Sequence, residues 1–193
     1  MGPFMGTPRG ARLPPTELAA PLPRRYGRAV PPARFVADTS LELVAHRLAF
    51  LGYDVATVRG ARLEDLFAAG RREARTVLTL SARHPRAFAD VAAIVVPRGD
   101  AASAVRAIAS AHQPAGAPFS RCAPCNQALH ARHPMEARGE VPGRVLRAAT
   151  VLHYCPMCGK WYWEGTHVAH LRVWLERALG HALPGAGMEK EQP

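Results

Sequence analysis

Four cysteines carry the clearest chemistry in this sequence. They stand as Cys122-Ala-Pro-Cys125 and Cys155-Pro-Met-Cys158, with 29 residues between the pairs and no other cysteine in the 193-residue chain. A two-residue spacer lets two thiolates point at one centre. Two such turns face to face supply four sulfurs in a tetrahedron, the ligand set of a structural Zn²⁺ site. Two disulfides or a redox Cys-x-x-Cys are the competing readings. A disulfide scaffold goes with a secretory leader and a denser cysteine count. A redox motif needs one pair and has no use for its duplicate. The expectation is zinc, held by Cys122, Cys125, Cys155 and Cys158 and organising the last third of the chain.

Beside the second pair lies an aromatic and basic run, Lys160-Trp161-Tyr162-Trp163, followed by His167. Aromatic faces stack on unpaired bases while cations neutralise phosphates. Lys160, Tyr162 and His167, with Arg121, Arg144 and Arg147, are therefore candidate RNA contacts. Packing against the larger domain competes for the two tryptophans. Alternate strand positions place Trp161 and Trp163 on one face and Tyr162 on the other, and a small metal module has little else to pack. Four cysteines already fill a tetrahedron, so His167 is not needed as a ligand.

Acids that could bind a catalytic metal are few. Asp38 ends a first short strand, Arg34 to Ala37, where ligands of parallel sheets collect. Glu64 and Asp65 open a second helix, where acids also simply favour the helix dipole. A two-metal nuclease needs three or four carboxylates converging to hold two divalent cations, which activate water and stabilise the leaving oxygen. Asp38, Glu64 and Asp65 are the candidate set, with Mg²⁺ or Mn²⁺ as the cation. Glu42 has the spacing of a capping box with Thr39. Asp54 and Asp90 read as turn residues.

The elements that must position these groups alternate. Strands are expected at 34–37, 55–58, 76–80 and 93–96, with helices after Thr39, from Leu63 to about Ala74, and from Ala101 to His112 behind Asp100. Strands alternating with helices indicate βαβ units and a parallel sheet. Short, continuously apolar strands suit a sheet covered on both faces. Residues 1–33, rich in Pro and Arg, lack any apolar period and read as a disordered tail. The α/β domain takes 34–115, and 116–180 forms the metal module with a helix from His170 to Leu179. Arg144 to Val151 suggests a basic strand or hairpin arm, and 181–193 a second frayed tail.

Hydrophobic residues make up 48% of the chain, enough for a core. The formal charge is +10, with Lys160 and Lys190 the only lysines. That balance favours anionic partners, nucleic acid foremost, although a genome rich in G and C inflates arginine too. No apolar run reaches the roughly 18 residues of a membrane span. Unpaired metal-type thiols fit a reducing cytoplasm.

Several motifs now combine. Asp38 ends the first strand, Phe-Leu-Gly-Tyr-Asp (50–54) closes the first helix, and Arg-x-Val-Leu-Thr (75–79) forms the third strand. Phe-Ser-Arg-Cys-x-x-Cys-Asn (119–126), Val141-Pro142 and Cys-Pro-x-Cys-Gly-Lys-x-Tyr-Trp-x-Gly-Thr-His (155–167) follow. Over residues 34–172 this order resembles the PIN-like RNase domain found at the C-terminus of Mut-seven exonucleases. The resemblance implies a three-layer α/β/α parallel sheet with a small C-terminal zinc ribbon, and metal-dependent RNase activity. Two positions depart from it. Thr79-Leu80-Ser81 stands where the family usually has Thr-Arg-Asp, and Leu63 stands where it usually has Asp. Serine in place of a carboxylate removes charge that a hard cation needs.

Three functions follow as expectations. The first is a metal-dependent RNase with a degenerate acidic site centred on Asp38. The second is a non-catalytic RNA- or ribosome-binding protein that keeps the fold and the charge. The third is an adaptor that binds a protein partner through its zinc ribbon.

Overall fold

The computed structural model describes residues 32–60 and 62–184. Of the two expected tails only 32–33 and 181–184 are described, and there Leu183 packs on the core and its N–H donates to Glu176, so the C-terminal tail starts later than expected. Apolar runs punctuated by Gly and Asp give β1 (Arg34–Asp38), α1 (Glu42–Phe50), β2 (Asp54–Val58), α2 (Leu63–Glu73), β3 (Thr76–Thr79), β4 (Ala93–Val95) and α3 (Ala101–Ala111). The strands form one parallel sheet in the order β2-β1-β3-β4. Val36 pairs in register with Ala56 on one side and Val77 on the other.

Side-chain alternation along each strand splits the core into two layers. Val36 and Val77 face α2, where Leu66, Phe67 and Ala69 pack with Val91. Phe35, Ala37 and Leu78 face the opposite way, onto Val44 and Leu48 of α1 and Val105 and Ile108 of α3. A fifth helix, α5 (Thr166–Leu179), adds Leu171 and Leu175 to that second layer. Phe35, Leu48, Leu78 and Leu175 are wholly buried. Each contributes about 1.5–3 kcal/mol from removing its side chain from water. The fold is thus the expected α/β sheet flanked by helices on both faces. No helix among the described residues is long and apolar enough to cross a membrane.

The start of α1 differs from expectation. Asp38, not Thr39, is the cap: its Oδ1 accepts from Ser40 N at 2.6 Å and opens a single 3₁₀ turn, Thr39–Leu41. The Thr39–Glu42 box does not form, because extended backbone ends one residue earlier, at Asp38 itself. Glu42 instead lies 3.7 Å from His46, one helical turn on. Asp100 caps α3 as expected, accepting from Ala102 N and Ser103 N.

A second, antiparallel sheet joins β5 (His130–Arg132), β6 (Leu152–Tyr154) and β7 (Trp161–Tyr162) in that order. Between β5 and β6 lies α4 (Gly143–Ala148), where a basic strand or hairpin arm was expected. The Pro142 carbonyl accepts from Val145 N and Leu146 N, which starts a helical turn. Val145, Leu146 and Ala149 then pack onto Ala137, Val141 and Leu152. The apolar spacing is helical there, and the arginines between point outward. The last helix also begins earlier than expected, at Thr166 rather than His170.

The segment carrying the cysteines docks on the loop between α1 and β2. Phe119 N donates to Phe50 O at 2.7 Å, and Ala115 N and Gly116 N both donate to Gly52 O. Tyr53 hydroxyl donates to His112 O at 2.7 Å. This loop precedes β2, so it lies at the amino ends of the parallel strands. Asp38 and Ser81 lie at their carboxyl ends, the opposite edge.

Candidate functional site

Both Cys-x-x-Cys turns fold alike. Asn126 N donates to Cys122 O and Cys122 N to Gln127 O. In the second turn Gly159 N donates to Cys155 O and Cys155 N to Lys160 O. The residue after each second cysteine must therefore turn left-handed. Gly159 does so at φ 69° and Asn126 at φ 60°, and these two residue types tolerate that region best. The turns face one another so that all four sulfurs lie within 4.8 Å of each other. Cys122 Sγ is 3.6 Å from Cys158 Sγ, and Cys125 Sγ is 3.4 Å from Cys155 Sγ. A Zn–S bond of about 2.3 Å puts tetrahedral sulfurs about 3.8 Å apart, whereas a disulfide closes to about 2.0 Å. The cysteines are free thiols, and the set can hold a metal ion. No other group of three or more His, Cys, Asp or Glu among the described residues is gathered this way.

The metal-free thiols are unequal. Burial and neighbouring thiols push Cys125 up to about 12. Burial opposes the Cys155 thiolate too, but the N–H groups of Cys158 and Met157 and the Cys125 thiol outweigh it and bring Cys155 down to about 7. Tyr162 hydroxyl lies 3.0 Å from Cys122 Sγ, placed to donate to a thiolate. Burial and then that sulfur raise its own pKa. Such outer hydrogen bonds hold first-sphere ligands in place.

Asn126 also fastens the metal turn to the sheet. Its Oδ1 accepts from Val55 N at 2.9 Å and its Nδ2 donates to Asp54 Oδ1. Asp54 in turn accepts from Arg75 Nη1 at 2.6 Å and Arg34 Nε at 3.1 Å. Arg75 reaches further, to Phe35 O and Glu73. Burial alone would raise the Asp54 carboxyl. The hydrogen bonds from Arg75, Asn126 and Arg34 more than offset it and hold the group below the usual carboxylate range. Asp54 is therefore not a turn residue but the centre of a paired, half-buried network. The signal in the sequence was Asn126, standing where Gly159 stands in the other turn.

The candidate RNA contacts divide into two kinds. Arg144, Arg147, Lys160 and His167 are exposed on the cysteine-bearing segment. Arg121 is half-buried and donates to Asn126 O, and Tyr162 has its hydroxyl engaged by sulfur. Trp161 and Trp163 pack against the Ala137, Val141 and Leu152 cluster. Trp161 Nε1 donates to Glu140 at 3.1 Å. The tryptophans do pack, but onto the cluster of their own segment rather than onto the larger domain as expected, and Tyr162 turns its hydroxyl to Cys122.

At the opposite edge the three candidate acids have separate partners. Asp38 caps its 3₁₀ turn. Glu64 pairs with Arg83 at 3.3 Å. Asp65 accepts from Arg62 N and faces its guanidinium at 3.6 Å. Ser81 Oγ accepts from Arg83 N, and Ser81 N donates to Thr79 Oγ1, a local hydroxyl turn.

No match to the chain is found among curated proteins or among solved structures. The family model for the Mut7-C RNAse domain matches residues 33–175, a span that takes in the parallel sheet, both cysteine turns and most of α5. On that match, the chain belongs to the Mut7-C RNAse domain family.

Proposed function

We propose that this protein binds RNA through its metal-bearing segment and does not cut it by two-metal hydrolysis. Family membership gives a nuclease-like or RNA-related function at the coarser level. What favours binding over cleavage is the occupancy of the strand-end acids. Glu64 and Asp65 each lie beside an exposed arginine, Asp38 gives one oxygen to a cap, and Ser81 offers a hydroxyl that accepts from the backbone in place of a carboxylate. A hard divalent cation needs uncompensated oxygens gathered in one place. The rival reading follows the family match: a metal-dependent RNase with Asp38, Glu64 and Asp65 holding Mg²⁺ or Mn²⁺.

Zn²⁺ is the metal that fits the four sulfurs, by separation and by softness of the donors. Its role is structural, since four protein ligands leave no open position. We place the ribbon within 116–180 and the α/β part at 34–115, with α5 packing onto the α/β core. Free thiols of this kind suit a reducing compartment, and the cytoplasm is the natural assignment. RNA is the proposed partner. The exposed cations Arg144, Arg147, Lys160 and His167 supply the phosphate contacts.

The test is salt dependence of binding to single-stranded RNA. Each phosphate neutralised contributes a slope of about −0.7 in log affinity against log salt for single strands. Replacing Arg144 and Arg147 together by Ala is expected to make the slope shallower by about 1.4. A slope unchanged by the pair, or no RNA binding at any salt, contradicts the reading.

A further inference from the structure

Where the ribbon meets α1 and α5 there is an open cleft of about 220 Å³. Its walls are mostly apolar, and four aromatic rings contribute: Phe50, Phe119, Tyr162 and Trp163. This volume is below the roughly 300–1,000 Å³ of pockets that take drug-sized ligands, and suits a single planar ring system. Two features mark the cleft as built. Phe119 sits at φ 62°, a conformation that is a genuine outlier for a bulky residue and costs about 1–3 kcal/mol. Its ring centroid lies 5.8 Å from that of Phe50 and 5.0 Å from the Arg172 guanidinium. Trp163 packs close over Gly165: a Cβ there would come within 3.1 Å of the indole nitrogen, a tight contact that would shift the ring by a few tenths of an ångström.

Polar groups also line the cleft. His153 and Glu164 offer a ring nitrogen and a carboxylate for the edge of a base, and Arg121 adds a positive charge. A second cleft adjoins the first across Val151, Trp163 and Glu164, and it is lined by Arg144. Aromatic walls beside guanidinium groups match the two halves of a nucleotide, its base and its phosphate. We propose that the aromatic cleft takes one unpaired base of the RNA, stacked on Trp163 with Phe119 as part of the wall, and the adjacent phosphate at Arg144. This rests on RNA being the ligand and adds the subsite that reads the base.

The test uses the full chain loaded with zinc and a short single-stranded RNA carrying aminopurine, whose fluorescence is quenched on stacking. Phe119→Asn keeps a residue that tolerates the left-handed backbone and removes the ring. Ala131→Trp leaves every ring in place and plugs the cleft from an exposed strand position. Zinc content and circular dichroism show that each variant is folded. Wild type is expected to quench the probe. Both variants are expected to lose the quench and to bind about 5- to 150-fold more weakly, the range of one base–aromatic stack, while keeping the wild-type salt slope. RNA binding by wild type with no quench, or quench unaffected by folded Ala131→Trp, overturns the base subsite and leaves RNA binding standing. Absence of RNA binding overturns both.

Discussion

Cys155→Ser is expected to release the metal and unfold the ribbon, with the loss spreading into α5. The apolar core of the ribbon is small: Ala137, Val141 and Leu152 are its buried members. Structural Zn²⁺ contributes about 10–16 kcal/mol of apparent binding energy in small zinc modules at neutral pH. That is comparable to the whole folding stability of a typical domain, about 5–15 kcal/mol. Cys155 is fully buried, and its backbone N–H and carbonyl close the second turn. A hydroxyl there fails as a soft ligand and leaves three thiolates around an open site. Metal analysis should fall from one zinc per chain to none, and the amides of 116–180 should exchange freely with solvent. Wild type without bound metal, or a variant with an unchanged melting curve, contradicts the assignment.

The second large effect is expected at Gly52→Ala. Gly52 turns at φ 89°, and a Cβ there would stand 2.1 Å from Gly116 O and 2.7 Å from Ala117 O. Both neighbours are backbone, so neither can swing aside. Moving them breaks the bonds from Ala115 N and Gly116 N to Gly52 O. The cost combines a left-handed alanine with a steric overlap and lost hydrogen bonds, about 4 kcal/mol. In a chain of this size the melting temperature falls by roughly 8–16 °C. Bound zinc should remain, because the cysteine turns are untouched. That separates damage to the joint from damage to the metal site. A variant as stable as wild type would show that the two parts do not dock through this loop.

These effects explain what could and could not be read from the sequence. Phe35 to Ala37 and Val77 to Leu78 announced buried parallel strands because both faces of each strand are apolar. The cysteines announced their own site, since duplicated turns have few other uses. Arg144 to Val151 misled, because Val145, Leu146 and Ala149 satisfy a helix only once the Pro142 carbonyl is seen to start one. Asp54 looked like a turn residue because its partners, Arg34, Arg75 and Asn126, are 20, 21 and 72 positions away. Long-range pairing of that kind leaves no local pattern. The cleft was illegible for the same reason. Phe50, Phe119 and Trp163 belong to three separate segments, and the positive φ of Phe119 follows from docking, not from its residue type.

The placement of the two candidate centres matters for function. The ribbon sits at the amino ends of the strands, while Asp38, Glu64, Asp65 and Ser81 sit at the carboxyl ends. RNA held at the ribbon cleft is therefore not delivered to Asp38 by that contact alone. Asp38 acts as a cap in this fold, and Asp38→Asn, which keeps an acceptor for Ser40 N, is a mild change to stability.

The most direct measurement is cleavage of single-stranded RNA in excess Mn²⁺ by purified wild type and Asp38→Asn side by side. The account predicts that both proteins bind the RNA equally and leave it intact. Manganese-dependent cleavage by wild type that disappears in a folded Asp38→Asn protein would contradict it and restore the strand-end acids as a working nuclease centre.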